Sequence, residues 1–247
     1  QIGDGAWIFG PGTISSNEGD ARPMTISAAK NLVGKDITFL YRGTTGVQAV
    51  VYGVPNAHTI ENIILDDCDI SCSNPTADAN TRGFKILNQV VNTGACKDVF
   101  VNGLEVHDTP SMGIEIVSEW GGFPSDYGDL TAYGHNNVVF TRPVIDNCGQ
   151  TVGAQSKIGL SFAGTGQAKC VGAHFRNANG KNFEFVSQLG SEMLDAVIED
   201  TASGFNVFST SAPGGAPTAT NYKCKIKNVQ VLDGNGQLLN VLGFEDG

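Results

Sequence analysis

The chain has 247 residues, 40% apolar and only 16% charged, with 32 glycines. This describes a folded, turn-rich protein with few long helix-forming stretches, so an all-β organisation is expected. A net charge of -10, with 15 Lys and Arg spread thinly, argues against a nucleic-acid partner and against an anionic membrane surface. No apolar run approaches the roughly 18 to 20 residues that span a bilayer, and no basic segment followed by an apolar one opens the chain, so membrane insertion is not expected. The sequence enters a β-like pattern by Trp7, as a processed product or an excised domain would. No linker or charge run divides it, and residues 1–247 are read as one domain.

In chain order, Trp7, Phe9, Gly12 and Ile14 give a loose first instance of a pattern that becomes clear from residue 59 and runs to 244. The segment Ile63-Ile-Leu65-Asp-Asp-Cys68-Asp-Ile70 aligns with Val99-Phe-Val101-Asn-Gly-Leu104-Glu-Val106, then with Val138-Val-Phe140-Thr-Arg-Pro143-Val-Ile145. The apolar positions coincide. Ala168, Cys170, Ala173 and Phe175 repeat the pattern, followed by Ser191, Met193, Ala196 and Ile198, then by Cys224, Ile226, Val229 and Val231. Alternation within each short segment marks strands with one buried face, and the break between the second and third apolar positions marks a bend. Two residues past the last apolar position come Cys72, Asp108, Asn147, Asn177, Asp200 and Asp233. Most are Asn or Asp, which tolerate left-handed backbone angles in tight turns. A second strand then recurs as Phe84-Lys-Ile86, Ile114-Glu-Ile116, Ile158-Gly-Leu160, Phe183-Glu-Phe185, Phe205-Asn-Val207 and Leu239-Asn-Val241. Units start 36, 39, 30, 23 and 33 residues apart, as in a solenoid of stacked coils with variable loops. The expected fold is a single-domain right-handed parallel β-helix.

This coil template and its turn column resemble the pectate-lyase-like superfamily of right-handed β-helices. The resemblance implies the fold and a set of alternative activities: polysaccharide lyase, glycoside hydrolase, epimerase, or the binding role of a bacteriophage tailspike. It carries over no catalytic motif.

Outward side chains of a β-helix form columns along its axis, where an extended polysaccharide meets one member per coil. The second strands present Lys85, Glu115, Gly159, Glu184, Asn206 and Asn240. Four residues on lie Gln89, Glu119, Ala163, Gln188 and Thr210. With Gly159 between them, Glu115 and Glu184 sit two coils apart, about 9 to 10 Å between Cα atoms. Carboxyl groups about 6.5 to 9.5 Å apart suit an inverting glycosidase, one as acid and one as base around a water. Glu115, Glu184 and Glu119 are therefore the catalytic candidates, with solvated surface glutamates as the competing reading. After Glu119 runs the longest insertion, whose Trp120, Phe123, Tyr127 and Tyr133 could stack on sugar rings, while Asp126 and Asp129 accept hydroxyl hydrogen bonds. Packing of that loop onto the helix, or a subunit contact, competes with this. Lys85 and Asn206 complete the candidate substrate contacts.

His107 occupies an outward turn position and is read as a surface residue, while His135 closes the aromatic insertion. Alternation sends Asp66 and Asp67 apart, so no calcium site is expected with Asp69. The six cysteines contain no CxxC pair and no zinc spacing, so no structural metal is expected, and no cofactor is implied. Cys68, Cys170 and Cys224 fall on inward positions, and mostly free thiols are expected. No serine-hydrolase elbow, zinc-protease, Walker or dinucleotide fingerprint occurs.

The sequence thus points first to an extracellular protein that binds and cleaves a polysaccharide in the manner of a glycoside hydrolase. Lys85 alone among glutamates makes a lyase acting on acidic sugars the weaker alternative. The other is a non-catalytic glycan- or receptor-binding segment of a phage tailspike or adhesin. Free thiols and an acidic charge suit assembly in a reducing cytoplasm, and the resemblance implies a homotrimer.

Overall fold

The computed structural model describes residues 4–16, 21–27, 29–44, 47–55, 59–75, 79–89, 96–119, 135–151, 157–163, 166–186, 188, 190–199, 205–208, 221–222, 224–232, 239–242 and 244–245. Among them every regular element is a strand, and every strand pair is parallel. The protein is a parallel β-helix with three faces.

The first face stacks Ile60–Asp66, Cys96–Asn102, His135–Thr141, Gly166–Val171, Glu192–Leu194 and Lys225–Lys227. The second stacks Asp69–Cys72, Glu105–His107, Val144–Asp146, His174–Arg176, Val197–Glu199 and Gln230–Val231. Lys30–Tyr41 serves both, pairing with Ile60–Asp66 through its first half and with Asp69–Cys72 through its second. The third face stacks Met24–Ser27, Ala49–Val54, Arg82–Gln89, Ile114–Glu119, Ile158–Ala163 and Lys181–Val186.

Each coil turns its first corner through one residue with left-handed backbone. Asp67, Arg142, Asp195 and Asn228 have φ of 48°, 52°, 55° and 55°, and Gly103 and Gly172 take the same place. The predicted turn column closes the second face at Asp108, Asn147 and Asn177, with φ of 56°, 51° and 49°. Cys72, placed in that column by sequence, instead ends its strand and is buried. A third column lies near the start of the first-face strands: Asn31, Asn62, Asp98 and Asn137, each the second or third residue of its strand, all have positive φ. Side chains bridge its rungs, Asn62 Nδ2 donating to Asn31 Oδ1 and Asn137 Nδ2 to Asp98 Oδ1, each at 2.7 Å. Short polar side chains tolerate this strained backbone and satisfy one another across coils.

Inside, the repeat is met rung for rung. Phe140 lies opposite Val101 on one side and Cys170 on the other. Aromatic rings run through the core: Phe140 packs edge-on to Phe84 at 5.7 Å, tilts against Phe162 at 6.2 Å, and Phe162 stacks on Phe185 at 5.8 Å. All six cysteines are free thiols. Burial pushes Cys96 and Cys148 up to about 12, which makes them small apolar fillers rather than nucleophiles.

Two details of the sequence reading are corrected. Trp7 and Phe9 point outward, 69% and 60% exposed, because the inward positions of that strand are Ile8 and Ile14. A register shift between Phe9 and Gly12 breaks the simple alternation there. On the third face Ile114 pairs with Leu160, not Ile158, so Glu115 is opposite Ser161. Gly159 lies elsewhere: a Cβ on it would meet Asn182 O at 2.6 Å and the Phe175 ring at 3.0 Å. Its missing side chain admits a neighbouring coil and the core, and clears no space for a ligand outside.

Candidate functional site

The third face carries the candidate site. Its outward column reads Tyr52, Lys85, Glu115, Ser161 and Glu184 in strict register. The next outward column, two residues on, reads Val54, Leu87, Val117, Ala163 and Val186. Tyr52 joins Ala49, Val54 and Leu87 in a small outer apolar cluster with Val117 against it. A polar ladder thus runs beside an apolar one.

The polar ladder is not solvated. Lys85, Glu115 and Glu184 are 3%, 7% and 6% exposed, which overturns the reading of the glutamates as surface residues. Glu115 Oε2 is held by Arg82 Nε at 2.6 Å and Lys85 Nζ at 3.0 Å. Ser161 Oγ donates to Glu184 Oε1 at 2.8 Å, and Lys181 Nζ to Glu184 Oε2 at 3.1 Å. Arg22 lies over the Tyr52 ring, 4.2 Å from its centroid. Buried charges persist only with such partners. With Ser161 as the single rung between them, Glu115 and Glu184 keep the separation of about 9 to 10 Å expected for two strand spacings.

Sequence reasoning missed Arg82, Lys181, Arg22 and Ser161. The first two lie in third-face strands, three residues before Lys85 and Glu184, and that recurring spacing of two cations ahead of the outward column was the available signal. The remaining candidates are placed by their backbone alone or lie outside the described residues. Glu119 pairs with Gln89 at the end of its strand, its side chain lying outside the described residues. Asn206 lies in Phe205–Phe208, a strand packed next to Lys181–Val186 and paired with Leu239–Leu242, and its side chain is likewise outside the described residues. Trp120, Phe123, Asp126, Tyr127, Asp129 and Tyr133 all fall outside the described residues. The second predicted ladder does not hold: Ala163 pairs with Val117, and Gln188 is buried.

His107 and His135 sit elsewhere. His107 is half-buried on the second face, bonded through Nδ1 to Asp108 at 2.8 Å and through Nε2 to Asp69 at 3.1 Å. The two carboxylates raise it to about 9, Asp69 first, so it contributes stability below pH 6.5 that is lost as pH climbs through 9. Asp66 is bound by Lys35 at 2.8 Å and by Asn102 at 2.6 Å. No cluster of metal-binding type occurs among the described residues.

His135, which follows the aromatic insertion, lies fully buried, Nε2 to Gln188 Oε1 at 3.3 Å, while Ser191 Oγ donates to the same oxygen at 2.9 Å. Burial lowers its pKa to about 4. The folded state therefore keeps it neutral while the unfolded chain takes up a proton below about 6.5. Its contribution is complete above pH 6.5 and shrinks as pH falls towards 4, by on the order of 3 kcal/mol. We expect urea unfolding at pH 7.5 and 4.5 to differ more in the wild type than in His135→Gln; equal differences would contradict this placement.

No family model matches the sequence, and no curated protein matches it. Among solved structures, a double mutant of the periplasmic alginate epimerase AlgG matches with 9% identity and a TM-score of 0.22, covering 97% of this chain and 76% of that one. The fold assignment rests on the strand register described above.

Proposed function

We propose that this β-helix is a carbohydrate-active protein that holds a polysaccharide along its third face and hydrolyses it with Glu115 and Glu184. The observation carrying this reading is one outward column with two carboxylates separated by a single serine rung and bordered by an apolar ladder. A sugar ring is itself amphipathic, apolar on its faces and hydroxylated at its rim, so adjoining polar and apolar columns suit it. One carboxyl would protonate the glycosidic oxygen while the other activates a water on the opposite side of the ring. Arg82, Lys85, Ser161 and Lys181 act as positioning residues that fix the two carboxylates. Lys85, besides holding Glu115, stays a substrate-side candidate, as does the insertion carrying Trp120, Tyr127 and Tyr133, and Glu119 stays a catalytic candidate. Secretion or a virion surface fits such a substrate.

The test is a reducing-end assay across a glycan panel, alongside a glycan array. Glu115→Gln and Glu184→Gln are each expected to lose at least about a hundredfold in cleavage rate, the scale of general acid–base catalysis, while binding persists. Unchanged cleavage in both variants would overturn the assignment. A second reading has its own support, since both carboxylates are buried and already neutralised by cations. A glycan-binding spike or adhesin, trimeric in the way the resemblance implies, accounts for that ladder as structure alone. Array binding with no cleavage by the wild type selects this reading.

A further inference from the structure

A concavity on the first face is distinct from the third-face ladder. It measures about 250 Å³ and is lined by Asn137, Gln167, Lys169, Gly190 and Glu192, with Val138, Val139 and Ala168 between them. Its origin is local. The register between the strands His135–Thr141 and Gly166–Val171 shifts between His135 and Val138, so two residues of the upper rung oppose Gln167 of the lower. Such bulges disrupt a ladder and re-aim side chains. Beneath Gln167, Gly190 contributes no side chain and turns with φ of 71°. A Cβ there would come within 3.0 Å of Gln167 Nε2.

The lining is polar but charge-balanced. Glu192 is bound by Lys169 at 3.1 Å and by Lys225 at 3.0 Å. Asn137 is bonded to Asp98 at 2.7 Å. Both ammonium groups meet the one carboxylate of Glu192, and with Asp98 behind Asn137 the four charges cancel, leaving no net charge to hold a phosphate, a sulfate or a uronate. Two carboxamides, Asn137 and Gln167, offer both donors and acceptors. One outward position leads into the depression from above: Val139, then Phe100 and Ile64, 39% and 38% exposed on successive rungs. An apolar strip running into amides and a neutralised charge pair selects a ligand with an apolar face and an uncharged, hydroxyl-rich edge.

We infer that this first-face depression is a binding site for a neutral saccharide unit, with the adjoining chain lying over Phe100 and Ile64. It uses none of the third-face residues. The site therefore stands or falls separately from the proposed hydrolysis.

The experiment is saturation-transfer NMR with the methyl glycosides of glucose, galactose, mannose and N-acetylglucosamine, and with glucuronate and galacturonate as acidic comparators. The variants are Gly190→Asn, which fills the depression with a residue that tolerates positive φ, and Gln167→Ala. We expect at least one neutral glycoside to bind wild type. Affinity is expected to drop about tenfold in Gly190→Asn or Gln167→Ala, as for loss of a good hydrogen bond, with Tm unchanged in Gln167→Ala. Should Gly190→Asn fail to fold, Gln167→Ala alone decides. Absence of neutral-sugar binding, undiminished binding in the folded first-face variants, or stronger binding of the uronates overturns the inference.

Discussion

Phe140→Ala is expected to destabilise the fold by about 3 to 5 kcal/mol, as large-to-small changes at fully buried aromatic positions do. Phe140 is fully buried, and its ring bridges two faces by meeting Phe84 and Phe162. Its neighbours along the axis are Val101 above and Cys170 below, and both are held by ladder hydrogen bonds of their own rungs. They cannot collapse into the space without breaking register, so the cavity would persist. Urea unfolding measures the effect. A loss below about 1 kcal/mol, the range of surface substitutions, would mean that Phe140 is not an interior rung.

Glu115→Ala is the second large expectation, again about 3 to 5 kcal/mol, because it takes from the buried Lys85 and the part-buried Arg82 the carboxylate that both contact. The sign of the companion experiment is opposite in spirit. Replacing all three charges together, Arg82→Met, Lys85→Met and Glu115→Leu, is expected to cost far less than Glu115→Ala alone, since well-packed apolar groups carry no desolvation penalty. If the single and triple variants are equally unstable, the cluster is held by packing and not by charge. Glu115→Gln keeps the shape and is the better choice for cleavage assays.

The residues that made the fold legible are those whose role is one of periodicity. Val99, Val138 and Ala168 align in the sequence and pair in the structure, and so do Val101, Phe140 and Cys170. Asp108, Asn147 and Asn177 stood out because left-handed corners accept few other residues. Where the reading slipped, it slipped by a physical ambiguity. Ile158, Leu160 and Phe162 all face inward, so a shift of two residues keeps every apolar side chain inside and only the paired rungs reveal it. That shift is what exchanged Gly159 for Ser161 beside Glu115. Trp7 and Phe9 misled for a different reason, since the end strand has one neighbour and can leave large apolar groups outside.

The candidate site was legible only as a column. Glu115 and Glu184 were found because outward positions recur with the coil, but their burial was not, because alternation separates in from out and says nothing about what covers the outside. Arg82 and Lys181 were missed since their contacts with Glu115 and Glu184 are set by side-chain reach and not by the repeat.

A crystal structure that locates Val101, Phe140 and Cys170 tests the account most directly. It should place the three on parallel strands in consecutive interior layers, their Cα atoms about 4.8 Å apart from rung to rung. Antiparallel pairing of these strands, or any of the three facing solvent, would contradict the β-helix and remove both glycan sites with it.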